Sequence, residues 1–437
     1  MKKRISAFIT ALTIFFICIC SPVLAATEKE HAPDVTARNI IMINTNTGAV
    51  VYEKSPEEKI FPASLTKLVT LLVATELITD YEQNVTVTKE CYDDVGIGGS
   101  NINLKDGEII KIDDMLYAIA ISSANEAANA MAIHLCGSTT EFVDKMNAKV
   151  LELGAQNTHF VNTHGLHDPM HYTTAKDIAE IAKAAFANEK VLKYLSEPTH
   201  IIDPTNKTEQ KRTLVTTNSL LRQNSGIFYK YCRAGKTGTT TPAGYNLVSI
   251  ANKGDTEFIL VAMNVEKKAG STNTVFADSK ALYNWAFDNY KNTKVLNDTE
   301  IITEVEVKLS AKGDHLVLMP EKNLYSVIPI DMDITTLERE ITTQSEIFAP
   351  ITEGDVLGTI VLKKDGVTYA KANLVAGDNV KRSTVLYYLH LIETFFKNIW
   401  VRIICVILLL FIIIYIIVMI TQNNRKKRKR LTRRIRF

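Results

Sequence analysis

The most constraining feature of this 437-residue chain is an unbroken apolar run close to its C-terminus. Residues 403–420 are all apolar, and 18 such residues are enough for a helix to cross the hydrocarbon core of a bilayer. Basic residues dominate the segment that follows, and positive charge marks the cytoplasmic side of a membrane span. The sequence therefore predicts a transmembrane helix over 399–421, a basic cytoplasmic tail over 422–437, and an extracytoplasmic location for the residues before the helix.

The N-terminus is typical of a secretory signal peptide. Basic residues precede an apolar run that ends in the sequence Val23-Leu24-Ala25, and small residues of this kind mark a cleavage site. We therefore expect a signal peptide over 1–25. Once the basic residues of both ends are set aside, acidic residues exceed basic ones by about 11, which argues against a nucleic-acid partner.

The order of the elements predicts an α+β first domain over 26–292. Two apolar, β-branched runs around Asn-Thr-Asn-Thr-Gly predict a hairpin over 39–53, and alternating residues predict paired strands over 245–252 and 256–264. The strands must share one sheet with helices packed on it, because only then are their apolar faces buried. Helical patterns cover 62–79, 112–137, 139–153, 174–187, 190–195 and 276–290.

The pattern changes after residue 292. Short alternating runs separated by turns such as Lys-Asp-Gly predict a small β-rich domain over 293–383. Residues 384–398 are amphipathic at helical spacing, which predicts a juxtamembrane segment that lies on the membrane surface.

Ser64 and Lys67 stand at the head of the helical run over 62–79, three residues apart and hence on one face. A serine hydroxyl needs an adjacent base to act as a nucleophile. Lysine can be that base when burial lowers its pKa, and the residues after Lys67 are apolar. Taken alone, this pair favours the simpler interpretation of a capping serine and a lysine that reaches solvent.

A second pair, Ser123 and Asn125, interrupts the alanine-rich helical stretch over 112–137. Serine and asparagine compete with the backbone for hydrogen bonds in the middle of a helix. A break that directs both side chains into a cleft is one interpretation, and a polar hinge between two helices is the other.

The third feature is Lys236-Thr237-Gly238-Thr239. Glycine within a strand allows another backbone to approach closely. Lys236 would supply positive charge for a carboxylate, and Thr237 would supply a hydroxyl donor. A flexible turn is the alternative interpretation.

Together the three features resemble a known signature. Ser-x-x-Lys, Ser-x-Asn and Lys-Thr-Gly, in this order, are typical of penicillin-binding proteins and serine β-lactamases. One branch of this group has further motifs that this chain resembles, namely the low-molecular-weight penicillin-binding proteins that are D-alanyl-D-alanine carboxypeptidases. The resembling segments, in the same order, are 62–67, 99–107, 122–128, 160–166 and 173–177. The resemblance implies a β-lactamase/transpeptidase-like catalytic domain, with an antiparallel sheet and helices packed on it, then a small all-β domain and a C-terminal membrane anchor.

The resemblance also implies a reaction and its residues. Ser64 would form an acyl-enzyme with the terminal D-Ala-D-Ala of a peptidoglycan stem pentapeptide, Lys67 would be the base, and Ser123 would relay a proton. Asn125, Lys236, Thr237, Gly238 and Thr239 would bind the substrate. β-Lactams would acylate Ser64, and no cofactor or metal is expected. The partners are then the stem peptide, β-lactam inhibitors and the membrane, with the catalytic domain outside the cell membrane.

Some positions depart from the family, and other functions remain open. Glu126 stands where aspartate is usual, Thr163 replaces a common proline, and the neighbourhood of Val275 lacks a family arginine that is thought to help hold the substrate. A D,D-endopeptidase that cuts cross-links shares every motif. A β-lactamase and a catalytically inactive wall-binding scaffold are the weaker alternatives.

Overall fold

The computed structural model describes residues 32–96, 98–266 and 273–434. The expected signal peptide over 1–25 lies outside these residues. The helices are α1 Lys67–Leu77, α2 Ile112–Ala120, α3 Asn125–Cys136, α4 Thr139–Glu152, α5 Ala175–Ala187, α6 Glu189–Ser196, α7 Thr274–Asn289, α8 Thr384–Lys397 and α9 Ile399–Arg434.

The strands follow the predicted order, hairpin first. They are β1 Asn39–Asn44, β2 Val50–Lys54, β3 Asn84–Thr86, β4 Ile109–Lys111, β5 Thr199–Ile202, β6 Arg212–Val215, β7 Cys232–Thr240, β8 Gly244–Lys253, β9 Thr256–Val265, β10 Tyr290–Leu296, β11 Thr303–Lys308, β12 His315–Pro320, β13 Leu324–Pro329, β14 Glu338–Thr343, β15 Ile347–Phe348, β16 Val356–Lys364 and β17 Val367–Ala376.

One antiparallel sheet joins the two ends of the first domain, in the order β2-β1-β9-β8-β7. The hairpin β1–β2 therefore pairs with strands that follow it by some 200 residues, as the burial of both apolar faces requires. The predicted sharing of one sheet is confirmed. Two short hairpins, β3–β4 and β5–β6, are separate from it.

The two faces of this sheet carry different helices. Side chains alternate between the faces of a strand. Ile259 and Val261 join the buried apolar cluster that α1 to α6 form, whereas the ring of Phe258 packs on Phe287 of α7. The sheet thus lies between helices α1 to α6 on one face and helix α7 on the other. Strand β7, at the edge of the sheet, faces the start of α1.

The predicted break in the helical region over 112–137 is confirmed. Helix α2 ends at Ala120, and α3 begins at Asn125 after a bend in which Ser123 has φ +58. This left-handed conformation is uncommon for a residue with a Cβ atom and is frequent at functional sites.

The later strands form an all-β region. Strand β10 pairs with β13, and a six-stranded sheet has the order β14-β16-β17-β12-β11-β15. The chain also divides into two compact units. The first unit contains the residues up to Val295, together with Leu324–Glu340 and Val361–Lys371. The second unit contains Leu296–Asn323, Ile341–Ile360 and the residues from Ala372 onward.

The described residues end in two helices whose apolar side chains are exposed. In α8 no residue is buried, and in α9 the stretch Ile399–Arg425 contains an 18-residue window with a mean hydropathy of 3.7. By length and composition this stretch is a candidate membrane span, and it contains the helix predicted over 399–421.

Candidate active site

Ser64 lies on a single 3₁₀ turn, Ala63–Thr66, that leads directly into α1. The preceding carbonyl groups are fixed by strand β8, because the Asn246 side-chain amide donates to the carbonyl oxygens of Phe61 and Pro62 at 3.1 and 3.2 Å. Ser64 itself is partly exposed and lines a cleft of about 210 Å³. The serine is therefore held at a helix start with its hydroxyl accessible.

Lys67 lies one turn below Ser64 and is fully buried. Its Nζ is 3.2 Å from the Ser64 Oγ and donates to the Asn125 Oδ1 and to the backbone carbonyl of His164, both at 2.7 Å. Burial holds the pKa of Lys67 well below its usual value, the positive charge of Lys236 lowers it further, and Glu126 opposes both. The lysine in contact with Ser64 therefore has a strongly lowered pKa.

Ser123 contacts a second buried lysine. The Lys236 Nζ donates to the Ser123 Oγ at 2.9 Å and to the carbonyl of Thr237 at 3.1 Å. Burial lowers the pKa of Lys236 to about 7. From a left-handed backbone, the Ser123 side chain reaches Lys236 on β7.

Strand β7 approaches the serine through Gly238. A Cβ atom at this position would lie 2.9 Å from the Pro62 carbonyl oxygen and 3.0 Å from the Ser64 backbone nitrogen, so only glycine fits without displacement. Thr239 follows on the same strand and lines the cleft. The close approach places the backbone of β7 directly beside the backbone of the turn that carries Ser64.

Hydroxyl groups line much of the cleft. Thr217, which the sequence did not mark, forms a short hydrogen bond with Thr237 through their hydroxyl oxygens. Ser100, Tyr245 and Phe276 complete the wall with other residues. No arginine is among the lining residues in the part of the chain that the structure describes.

Glu126 anchors the loop that carries Ser100. Its Oε1 accepts the Ile102 N–H at 2.7 Å, and the Ser100 carbonyl accepts the Asn125 N–H at 2.8 Å. Burial raises the pKa of Glu126. The departure from aspartate is therefore compatible with an ordered cleft rim.

Each residue predicted for the site lies at this cleft or directly beneath it. Two hydrogen-bonded groups contain five of them, one with Ser64, Lys67 and Asn125 and the other with Ser123 and Lys236. Thr237, Gly238 and Thr239 line the wall. Asn246, Thr217 and the carbonyl of His164 were missed, although the His-Gly-Leu segment containing His164 was visible in the sequence.

A sheet-and-helix fold with a serine, two buried lysines and a Gly-containing edge strand defines a serine hydrolase of the penicillin-interacting class. Residues 26–267 match the D-alanyl-D-alanine carboxypeptidase family (Peptidase S11), and residues 290–382 match the C-terminal domain of penicillin-binding protein 5. The chain belongs to the D-alanyl-D-alanine carboxypeptidase family.

Three comparisons illustrate this membership. The chain is 32% identical over 392 residues to D-alanyl-D-alanine carboxypeptidase DacF of Bacillus subtilis, covering 89% of this chain and 97% of DacF. It is 30% identical over 391 residues to DacA of Escherichia coli, covering 86% and 91%. Among solved structures, penicillin-binding protein 5 of Haemophilus influenzae superposes with a TM-score of 0.69 at 27% identity, covering 80% of this chain and 99% of that one.

Proposed function

We propose that this protein removes the terminal D-alanine from peptidoglycan stem pentapeptides through an acyl-enzyme on Ser64. The observation that carries the proposal is the surroundings of the Lys67 Nζ. Two of its three contacts, the Asn125 Oδ1 and the His164 carbonyl, are oxygens that only accept hydrogen bonds. A neutral amine has two hydrogens for these oxygens, so its lone pair remains for the Ser64 hydroxyl.

Acylation then follows from this arrangement. The Ser64 Oγ attacks the carbonyl carbon between the last two D-alanines while Lys67 takes the hydroxyl proton. The backbone N–H groups of Ser64 and Thr239 stabilise the oxyanion, and one donor of this kind is typically worth about 2.7–4 kcal/mol. The closeness of Gly238 to the Ser64 nitrogen supports this role, because Thr239 directly follows Gly238 on the strand that packs against the Ser64 backbone.

Loss of D-alanine needs a proton on its nitrogen. The proton that Lys67 took from Ser64 passes through Ser123 to this nitrogen as the C–N bond breaks, which leaves Lys67 neutral again. The Lys236 ammonium that donates to the Ser123 Oγ supports the transfer. Asn125 holds the peptide backbone, while Thr237 and Thr239 bind the terminal carboxylate. Water then hydrolyses the Ser64 ester, which releases the shortened stem peptide. A β-lactam has an amide in the same place and acylates the same oxygen.

The C-terminal helices support a membrane location for this activity. We place residues 399–421 of α9 across the membrane, the basic residues from 425 onward in the cytoplasm and the catalytic domain outside. The exposed apolar side chains of α8, which include Leu389, Ile392 and Phe396, suit the membrane surface. The substrate is anchored in the wall outside the membrane, so this topology brings the cleft to it.

Product analysis with the full chain in detergent tests the activity. We expect release of one D-alanine from a stem pentapeptide, no release by the Ser64→Ala variant, and slow cleavage of cross-linked muropeptide. Rapid cleavage of the cross-link with an intact pentapeptide would instead establish an endopeptidase. An enzyme that releases no D-alanine but turns over penicillin quickly would be a β-lactamase.

A further inference from the structure

The residue directly before the nucleophile has an unusual backbone. Ala63 has φ +49 although it carries a Cβ atom, and it is buried. Such a conformation is strained and persists only where the surroundings hold it. Because Ala63 and Ser64 share a peptide bond, whatever holds Ala63 also sets the direction of the Ser64 side chain.

The carbonyl oxygen of Ala63 is held from two sides. The Thr66 hydroxyl donates a hydrogen bond to it at 2.8 Å. A Cβ atom at Gly165 would lie only 1.9 Å from the same oxygen, so the backbone of Gly165 packs directly against it. Thr66 has no exposed surface, and water therefore does not compete for its hydroxyl.

His171 completes this arrangement from the far side of Thr66. Its Nε2 lies 2.8 Å from the Thr66 Oγ1, and its Nδ1 accepts the Val161 N–H at 3.2 Å. An Nδ1 that accepts carries no hydrogen, so a neutral ring has its hydrogen on Nε2. His171 then donates to Thr66, which leaves the Thr66 hydrogen for the Ala63 carbonyl. Burial lowers the pKa of His171 to about 3, so the neutral ring is the form present.

We propose that His171 and Thr66 are positioning residues for the nucleophile: a one-directional chain of hydrogen bonds, His171 to Thr66 to the Ala63 carbonyl, fixes the strained turn that aims Ser64 into the cleft. Neither side chain is among the residues that line the cleft. The proposal rests on the assignment of Ser64 as the nucleophile. It concerns the acylation step, since that step depends on the placement of the Ser64 Oγ.

Two pairs of variants separate this role from packing. Thr66→Val keeps the shape and removes the hydroxyl, whereas Thr66→Ser keeps the hydroxyl. His171→Gln places an amide donor near the Nε2 position, whereas His171→Asn keeps only an acceptor for the Val161 N–H. Thr75→Val is the matched control. Like Thr66, Thr75 is buried and donates to a nearby backbone carbonyl, that of Leu72 at 3.0 Å, but it lies further along α1, away from Ser64.

The measurement is the rate of acylation of the full chain in detergent by a fluorescent penicillin. The time course gives an acylation rate constant and a dissociation constant for the preceding complex, and neither depends on how much of a variant is folded. A misplaced nucleophile can cost up to about 100-fold, so we expect Thr66→Val and His171→Asn to slow acylation roughly tenfold or more with the dissociation constant unchanged. Thr66→Ser, His171→Gln and Thr75→Val stay within about twofold of wild type.

The double variant Thr66→Val/His171→Asn adds a second criterion. Since both residues act through one chain, the double variant is no slower than the slower single variant by more than about twofold. The proposal is overturned if folded Thr66→Val and His171→Asn proteins acylate at the wild-type rate, or if Thr75→Val is slowed as much as they are. If wild type carries no adduct on Ser64, the nucleophile assignment itself fails and takes this inference with it.

Discussion

At Lys67 burial and the neighbouring charges decide the protonation state. Two carbonyl oxygens and the Ser64 hydroxyl surround an amine that has no exposed surface. Taking an ammonium ion out of water is costly unless an anion compensates, and here burial and the nearby Lys236 outweigh the attraction of Glu126. Lys67 is therefore the group expected to be neutral in the resting enzyme.

This predicts the pH dependence of acylation. The base must be unprotonated. Acylation therefore requires a pH above the pKa of Lys67, and its rate falls as the pH drops through that pKa. Because that pKa is held well below the usual value of about 10.4, the rise of the acylation rate with pH should be centred well below pH 10.4. The check is the second-order rate constant of penicillin acylation measured across pH. A rise centred at the ordinary lysine pKa would mean that Lys67 is charged at rest.

The sequence identifies the side chains of this site, but not the backbone contacts and backbone conformations that hold them in place. Ser64, Lys67, Ser123 and Lys236 follow from three short motifs and their order. The His164 carbonyl could not be predicted, because a backbone acceptor leaves no mark on residue identity. The positive φ values of Ala63 and Ser123 also leave no mark, since neither residue is glycine and tertiary contacts impose the conformation.

Among the elements, edge strand β7 has the closest relation to the chemistry. Its register with β8 pairs Gly238 with Asn246, the residue that holds the carbonyls before Ser64. One strand pair therefore positions both the oxyanion side and the nucleophile side of the cleft. The sequence predicted that Gly238 allows another backbone to approach closely. It did not predict that this backbone belongs to the turn that carries Ser64.

Gly238→Ala tests this contact. The added Cβ would press on the Pro62 carbonyl and the Ser64 nitrogen, and strand β7 must move by a few tenths of an ångström. We expect penicillin acylation to fall by about tenfold or more while thermal stability changes little. Gly226→Ala is the control, because a Cβ there meets no atom within 4 Å. Equal acylation by the two variants would show that the approach of β7 is not needed.

At the scale of the whole molecule, the C-terminal part of the sequence is the most informative about architecture. The apolar stretch over 403–420 predicts the helix that α9 forms, and the alternating runs after residue 292 predict strands that are present. The hairpin β5–β6 and the long-range pairing of β12 with β17 were not predicted, because short strands carry little periodicity and their partners are set by tertiary packing.

Truncation separates the contributions of the last two helices. A chain that ends at 398 keeps α8, and a chain that ends at 382 lacks both helices. We expect full attachment for the intact chain, partial and salt-insensitive attachment for the first truncation, and release of the second, all with penicillin binding retained. Membrane fractionation with fluorescent penicillin measures this. Complete release of the chain ending at 398 would contradict the proposed contact of α8 with the membrane.

The most direct test of the central claim is the site of acylation. Incubation of the intact chain with penicillin, proteolysis and mass spectrometry should place one penicilloyl group on the peptide that contains Ser64, and Ser64→Ala should carry none. The adduct should also persist through the digestion if hydrolysis of this ester is slow. A folded wild-type protein whose only adduct lies on another residue, or that forms no adduct, would contradict the account.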